Sequence, residues 1–112
     1  MSLCSFEGNS GRSYDYRALD FKNRAAVPIG GGNYVFTRRV GGVLEVIFVG
    51  ETDNLWGLFT SSTWDLAKRS YGATTPYIRV NPDSKSRRQE SEDIVRKYRP
   101  PMNEDAAHTG DA

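Results

Sequence analysis

Apolar and β-branched residues concentrate in the middle of the chain, in two runs that have the character of β-strands. Residues 33–39 are rich in aromatic and β-branched side chains, and residues 43–49 are apolar except for one glutamate. Gly41 and Gly42 separate the two runs, and a glycine pair in this position is typical of a tight hairpin turn. The pattern therefore predicts a β-hairpin over residues 33–49.

The second strand of this hairpin is apolar on both faces. Regular alternation of side chains divides its apolar residues into two sets of three: Leu44, Val46 and Phe48 on one face, and Val43, Ile47 and Val49 on the other. Strands with two apolar faces are usually covered on both sides. We therefore expect this strand to lie in the centre of its sheet.

The second half of the chain predicts helices around one further strand. A helical turn, a helix, a strand and a long helix follow in that order, at residues 54–59, 64–70, 77–80 and 83–98. Pro100 and Pro101 cannot continue the last helix. The order strand, strand, helix, helix, strand, helix predicts a small α/β sandwich. Its sheet would be three-stranded, mainly antiparallel and flanked by helices.

The two ends of the chain lack this regularity. Residues 1–30 show no clean hydrophobic period, and we expect an irregular segment that packs on the core. Residues 104–112 are acidic and rich in alanine, which predicts a disordered tail. The folded domain is accordingly expected over residues 31–103.

Composition limits the chemistry that the chain can perform. The 112 residues predict one domain, and 15 Lys and Arg against 14 Asp and Glu leave a net charge of +1. One cysteine and one histidine exclude an internal disulfide, a cysteine metal cluster and most zinc sites. No apolar stretch is long enough for a membrane span, and no secretory signal is visible, so we expect a cytoplasmic protein without membrane association.

A pair of short motifs and the end of the last helix carry a resemblance to a known family. The motifs are Gly-Asn-Tyr at 32–34 and Phe-Val-Gly at 48–50, the second followed by Glu-Thr. Residues 94–103 close the pattern with two prolines and Asn103. In this order and spacing, residues 31–103 resemble the GIY-YIG nuclease superfamily, which includes homing endonucleases and an excision-repair nuclease subunit.

The resemblance implies metal-assisted cleavage of a phosphodiester, with a divalent cation such as Mg²⁺. In the family, two tyrosines lie near the attacking water, an arginine neutralises phosphate charge, a glutamate on the last helix binds the cation, and an asparagine ends the motif. Tyr34 and Asn103 match their family positions. The other three positions carry different residue types: Phe48 for the second tyrosine, Leu58 for the arginine and Ser91 for the glutamate.

None of these three replacements can supply the missing chemistry, because none has an acidic phenol, a cation or a carboxylate. Ser91 shares a helix face with Ile94 that we expect to point at the sheet. Glu90 and Glu92 are each turned by about 100° from Ser91. The sequence therefore predicts no metal site and no cofactor.

Three functions remain open at this point. The first is a catalytically degenerate domain that binds DNA or RNA weakly. The second is an active metal-dependent endonuclease with a rearranged site, which would need Mg²⁺. The third is a protein-interaction domain without a nucleic-acid role. The residues at positions 48, 58 and 91 favour the first and third functions over the second.

Nucleic-acid binding by a chain of this charge requires a local basic patch. The candidate cations lie on the first hairpin and the last helix: Arg38, Arg39, Arg87, Arg88 and Arg96. Tyr34 and Asn103 each have a structural interpretation beside the catalytic one. Tyr34 would be a core aromatic residue, and Asn103 would hydrogen-bond the backbone and tie the end of the chain to the sheet.

Overall fold

The structure, a computed structural model, describes residues 3–20 and 22–110. The described residues form five strands: β1 (Leu3–Glu7), β2 (Ser13–Ala18), β3 (Gly32–Val40), β4 (Val43–Thr52) and β5 (Thr75–Val80). Within the same ranges there are three α-helices: α1 (Ser62–Tyr71), α2 (Ser84–Tyr98) and α3 (Pro101–Gly110). Two short 3₁₀ helices span Arg24–Ala26 and Leu55–Thr60.

The strands form one sheet in the order β1-β2-β5-β3-β4, and every neighbouring pair is antiparallel. The expected α/β class is confirmed, but the expectation of three strands is wrong because the sheet has five. The predicted hairpin is β3–β4, and Gly41 and Gly42 form its turn with φ angles of 57° and 81°. Both angles lie in the left-handed region that glycine adopts without a steric penalty.

The two additional strands come from the segment that we expected to be irregular. β1 and β2 form a hairpin in which Phe6 and Tyr16 are buried and their neighbours along each strand are polar. Each strand thus buries only one large side chain completely. So sparse an alternation is a weak strand signal in the sequence. The hairpin is stable only because α2 covers its two buried side chains.

β4 lies at the edge of the sheet, so the expected central position is wrong. A register shift in the β3–β4 pairing pairs Phe36 with Phe48 and Thr37 with Val46, so that Ile47 is the additional residue of a β-bulge. The bulge also changes the expected faces, because Ile47 and Phe48 pack on the same side of the sheet. The strand is nevertheless covered on both sides, since helices pack on each face.

Two core clusters lie on opposite faces of the sheet. The first core cluster, on the side of α1, contains Leu19, Val27, Tyr34, Phe36, Ile47, Leu55, Leu58, Trp64, Ala67, Ala73, Ile78 and Met102. The second core cluster, beneath α2, contains Phe6, Tyr16, Val35, Val49, Tyr77 and Ile94. Side chains of consecutive strand residues alternate between these clusters, as Tyr34, Val35 and Phe36 illustrate.

The predicted last helix is confirmed as α2. The Asp83 side chain caps its start by accepting a hydrogen bond from the Ser86 backbone amide, and Arg99, at φ 46°, ends it in the left-handed conformation. No described helix is long and apolar enough to cross a membrane.

A third helix occupies residues that we expected to belong to a disordered tail. α3 begins at Pro101, because proline is favoured in the first turn of a helix. Met102 then inserts into the first core cluster and anchors the helix. The last part of the predicted tail, residues 111–112, lies outside the described residues.

Candidate functional site

Tyr34 and Phe48 lie on the same face of the sheet, where Tyr34 is buried. Their ring centroids are 6.0 Å apart, and Tyr34 also stacks on Phe36 at 4.8 Å. Burial, with the nearby carboxylate of Glu51, raises the pKa of Tyr34 to about 12. The Tyr34 phenol therefore keeps its proton at neutral pH.

The Tyr34 ring lies across the backbone of Gly50, which is its partner in the β3–β4 ladder. A Cβ atom on Gly50 would be only 2.5 Å from the tyrosine hydroxyl oxygen. The tyrosine of the first motif and the glycine of the second are therefore packed against each other, and the glycine is required by this close approach.

Leu58 lies in the 3₁₀ helix and is buried in the first core cluster. Its position explains why an apolar residue is found where the resemblance would place an arginine. The space around Leu58 is filled by apolar side chains, and an unpaired guanidinium could not be desolvated there without a large cost. This position therefore contributes to the core and contacts no solvent-borne phosphate.

Ser91 faces the sheet, as its place on the helix predicts. Its hydroxyl oxygen accepts a hydrogen bond from the Asn33 side-chain amide at 2.9 Å. Asn33 precedes Tyr34 in β3, so its side chain lies on the opposite face of the sheet. Consequently Ser91 contacts the face of the sheet that carries the second core cluster. Tyr34, Phe48 and Leu58 pack on the face that carries the first.

Asn33 and Asn81 form the centre of a polar network beneath α2. Asn33 is fully buried and donates to the Arg87 carbonyl oxygen at 2.8 Å, and Asn81 donates to the Asn33 side-chain oxygen at 3.2 Å. Among the described residues, no buried side-chain nitrogen or oxygen lacks a hydrogen-bond partner. The buried polar side chains of the network are therefore satisfied within the fold.

Arg87 belongs to this network and does not reach the surface. Its guanidinium pairs with Glu51 at 3.3 Å and donates to the backbone oxygens of Asn81 and Pro82 at 3.1 and 3.0 Å. A Cβ atom on Gly31 would lie 2.3 Å from a terminal nitrogen of Arg87. The Gly31 backbone therefore packs directly against the guanidinium. Arg87, which we predicted as a phosphate contact, is therefore buried with its charge paired.

Glu90 is buried, although its helical spacing from Ser91 predicted a position off the sheet-facing side of α2. It accepts hydrogen bonds from the Tyr16 hydroxyl and from Arg79 Nε, the latter at 3.1 Å. Burial raises the pKa of Glu90, although both hydrogen bonds and the arginine charge oppose that shift. The buried face of α2 is centred on Arg87, Glu90 and Ile94. The unforeseen strand β2 explains this, since Tyr16 covers Glu90.

Asp93 fastens the β1–β2 turn to α2. Its carboxylate accepts hydrogen bonds from the Ser10 amide at 2.8 Å, the Ser10 hydroxyl at 2.6 Å and the Tyr14 hydroxyl at 2.8 Å. The hydrogen bonds from Ser10 hold the pKa of Asp93 below its usual value. All three contacts tie structural elements together, and Gly8 leaves room for the carboxylate.

Asn103 binds the backbone of the edge strand. Its side-chain oxygen accepts from the Val49 amide at 2.8 Å, and its side-chain amide donates to the Val49 carbonyl at 2.9 Å. This is the backbone-binding interpretation of Asn103. Both polar ends of its side chain thus hold the backbone of β4.

The remaining predicted cations lie on different surfaces. Arg38 pairs with Glu45 at 2.8 Å and donates to the Tyr71 carbonyl at the end of α1. Arg39 is exposed and follows Arg38 in β3, so the two side chains project to opposite faces. Arg88 and Arg96 are exposed on α2. The five arginines therefore do not form one surface.

One line of cations does run along the exposed side of α2. Lys85, Arg88 and Arg96 are exposed and recur at helical spacing together with Glu92, so that they share one side of the helix. Within the described part of the chain, none of the three cations lies within ion-pair distance of a carboxylate. We call these three residues the cationic stripe.

The divalent cation that the resemblance implies does not fit these residues. In residues 3–20 and 22–110, no group of three or more histidine, cysteine, aspartate or glutamate side chains could hold a metal ion. The hydroxyl at position 91 is engaged by Asn33, and the nearby Glu90 is engaged by Tyr16 and Arg79.

No protein-family model, curated protein or solved structure matches this chain.

Proposed function

We propose that this protein is a non-catalytic domain related to the GIY-YIG nucleases, and that it binds the backbone of nucleic acids weakly through the cationic stripe. The observation that carries the binding proposal is the exposure of Lys85, Arg88 and Arg96 along one side of α2, without carboxylate partners among the described residues. At 1.5 Å per residue, the stripe spans about 16 Å, which is the length of a few phosphates along one strand.

The kinship proposal is supported by the arrangement of the motif residues. The two motif segments lie on adjacent antiparallel strands, with Tyr34 opposite Gly50. The loss of catalysis is supported by the environments of the motif positions. Tyr34 and Leu58 are buried, and Ser91 is bonded to Asn33 on the other face of the sheet.

Binding through three cations should be weak, independent of sequence and sensitive to salt. Three neutralised phosphates on a duplex predict that affinity falls about 40-fold when the salt concentration is raised fourfold. Glu92 lies among the cations and reduces the local positive charge, which lowers the affinity further. The stripe offers no aromatic side chain for base stacking, so phosphate contacts would dominate.

The test is a fluorescence-anisotropy titration with labelled single-stranded DNA, duplex DNA and RNA at two salt concentrations. We expect the double variant Arg88→Glu/Arg96→Glu to lose binding. The matched control is Lys22→Glu/Lys68→Glu, which changes the net charge equally at two exposed lysines outside α2. The control should keep most of the binding of the wild type at the same salt concentration.

Two outcomes would contradict the binding proposal: no binding by the wild type even at low salt, or equal loss in both double variants. A parallel incubation of supercoiled plasmid with Mg²⁺ or Mn²⁺ tests the absence of catalysis. We expect no nicking. Nicking that disappears in Tyr34→Phe would instead support a metal-dependent endonuclease with a rearranged site.

A further inference from the structure

The outer edge of β1 presents a row of unpaired backbone groups. The Gly8 amide donates to the Arg12 carbonyl at 2.8 Å, which fixes the phase of hydrogen bonding in the β1–β2 hairpin. Hydrogen-bonded pairs alternate along an antiparallel ladder, so the backbone groups of Leu3, Ser5 and Glu7 point away from β2. These groups are a template for pairing with another strand.

Within the described residues, little covers this edge. The Cys4 thiol, a weak donor, lies 3.9 Å from the outward Ser5 carbonyl oxygen. The opposite edge of the sheet differs, because Asn103 bonds both backbone groups of Val49 there. A side chain from α3 thus satisfies the β4 edge at Val49, whereas among the described residues the β1 edge has only the weak Cys4 contact.

Apolar side chains lie beside the β1 edge on the side of α2. Tyr98 remains 39% exposed and contacts Phe6 edge to face, with ring centroids 6.2 Å apart. Cys4 is partly buried beside the same cluster. A strand paired to β1 would place its own side chains beside Phe6, and apolar area covered there would add to the backbone hydrogen bonds.

We propose that β1 is a dimerisation edge and that its partner is the β1 strand of a second copy. A two-fold axis at Ser5 sets Ser5 opposite itself, Cys4 opposite Phe6, and Leu3 opposite Glu7. The outward groups of all three edge residues then face outward groups of the partner. Two five-stranded sheets become one ten-stranded sheet.

The charges of β1 fit this register. Glu7 is the one charged residue of the strand, and its carboxylate pairs with Lys97 at 3.5 Å. The axis places Leu3 of the partner opposite Glu7, so no like charges face each other. On the side of α2, Cys4, Phe6 and Tyr98 of the two copies come together in one apolar cluster. This inference does not depend on nucleic-acid binding.

Cysteine cross-linking tests the register directly. In an antiparallel hydrogen-bonded pair the Cα atoms are about 5.5 Å apart, which lies within the range that a disulfide spans. In a Cys4→Ala background, Ser5→Cys should form a disulfide-linked dimer under mild oxidation. Glu7→Cys is the matched control, because its backbone also points outward while the register sets it opposite Leu3. We expect little cross-linking of this control.

Sedimentation of the unmodified protein gives an independent measurement. The apparent mass should rise with concentration from 12.5 kDa toward twice that value. Ser5→Pro removes the outward amide and the exposed hydroxyl that donates to the Asp15 carboxylate at 2.6 Å. Edge strands tolerate proline at such a position, so this variant should remain monomeric with the same circular dichroism. The proposal is overturned if the wild type remains monomeric at its highest soluble concentration, or if Glu7→Cys cross-links as readily as Ser5→Cys.

Discussion

The side chain of Asn103 makes the two hydrogen bonds to Val49 that a neighbouring strand would otherwise make. Its oxygen is 2.8 Å from the Val49 nitrogen, and its nitrogen is 2.9 Å from the Val49 oxygen. Val49 is buried at the edge of the sheet, where unsatisfied backbone groups would be costly. One amide side chain thus satisfies the edge of β4 at Val49 and ties the start of α3 to the sheet.

We expect Asn103→Ala to destabilise the fold by about 1–3 kcal/mol, because both Val49 groups lose their partners in a buried position. Asn9→Ala is the matched control, since Asn9 is exposed. The measurement is urea unfolding followed by circular dichroism. Equal midpoints for the two variants would show that the Asn103 hydrogen bonds contribute nothing to stability.

Gly50→Ala should be destabilising by about 1–3 kcal/mol, because the new methyl group would overlap the Tyr34 ring. Gly57→Ala provides the comparison. A Cβ atom there meets nothing closer than an Asn54 side-chain nitrogen at 3.8 Å, which is ordinary contact. Thermal unfolding of both variants checks the prediction, and a Gly50 variant that melts with the Gly57 variant would refute the close approach.

Leu58→Arg tests whether the family's arginine position can be restored. The side chain at this position is buried in the first core cluster, so the substitution should cost several kcal/mol and lower the melting temperature strongly. Leu58→Met, which preserves volume and polarity, should cost less than about 1.5 kcal/mol. A stable Leu58→Arg protein that nicks plasmid with Mg²⁺ would contradict the buried, structural role.

The lowered pKa of Asp93 predicts that the stability of the fold decreases in acid. Because the hydrogen bonds from Ser10 lower the pKa of Asp93 in the folded state, its contribution to stability is present above its ordinary value of 3.8 and is lost as the pH falls through the lowered pKa. Asp93→Asn lacks this titration. The stability advantage of the wild type over Asp93→Asn should therefore shrink from neutral pH toward about pH 3, as measured by urea unfolding.

The raised pKa of Glu90, on the same helix, predicts the opposite dependence of stability on pH. Burial raises the pKa of Glu90 above its ordinary value of 4.5, so its favourable contribution is full below that value and decreases as the pH rises through the raised pKa. Relative to Glu90→Gln, the wild type should lose stability between about pH 4 and neutral pH. A difference that is constant over this range would show that Glu90 does not titrate abnormally.

The sequence determines those elements whose signals are local. The glycine pair at 41–42 with its flanking apolar runs predicts the β3–β4 hairpin, and the long helix ends at Tyr98 before two prolines. The orientation of Ser91 toward the sheet also follows from helical spacing and is confirmed. Propensity, turn chemistry and periodicity act over a few residues, so a single sequence reveals them.

Tertiary structure decides which of these elements are neighbours, and therefore which polar residues are buried. β1 and β2 are stable because α2 covers Phe6 and Tyr16. These two strands in turn bury Glu90, which accepts a hydrogen bond from Tyr16. The bulge at Ile47 and the edge position of β4 depend on pairing with distant strands. The sequence presents Arg87 as one more cation on a charged helix. Only the folded chain pairs it with Glu51 and removes it from the surface, because burial depends on contacts between residues far apart in the sequence.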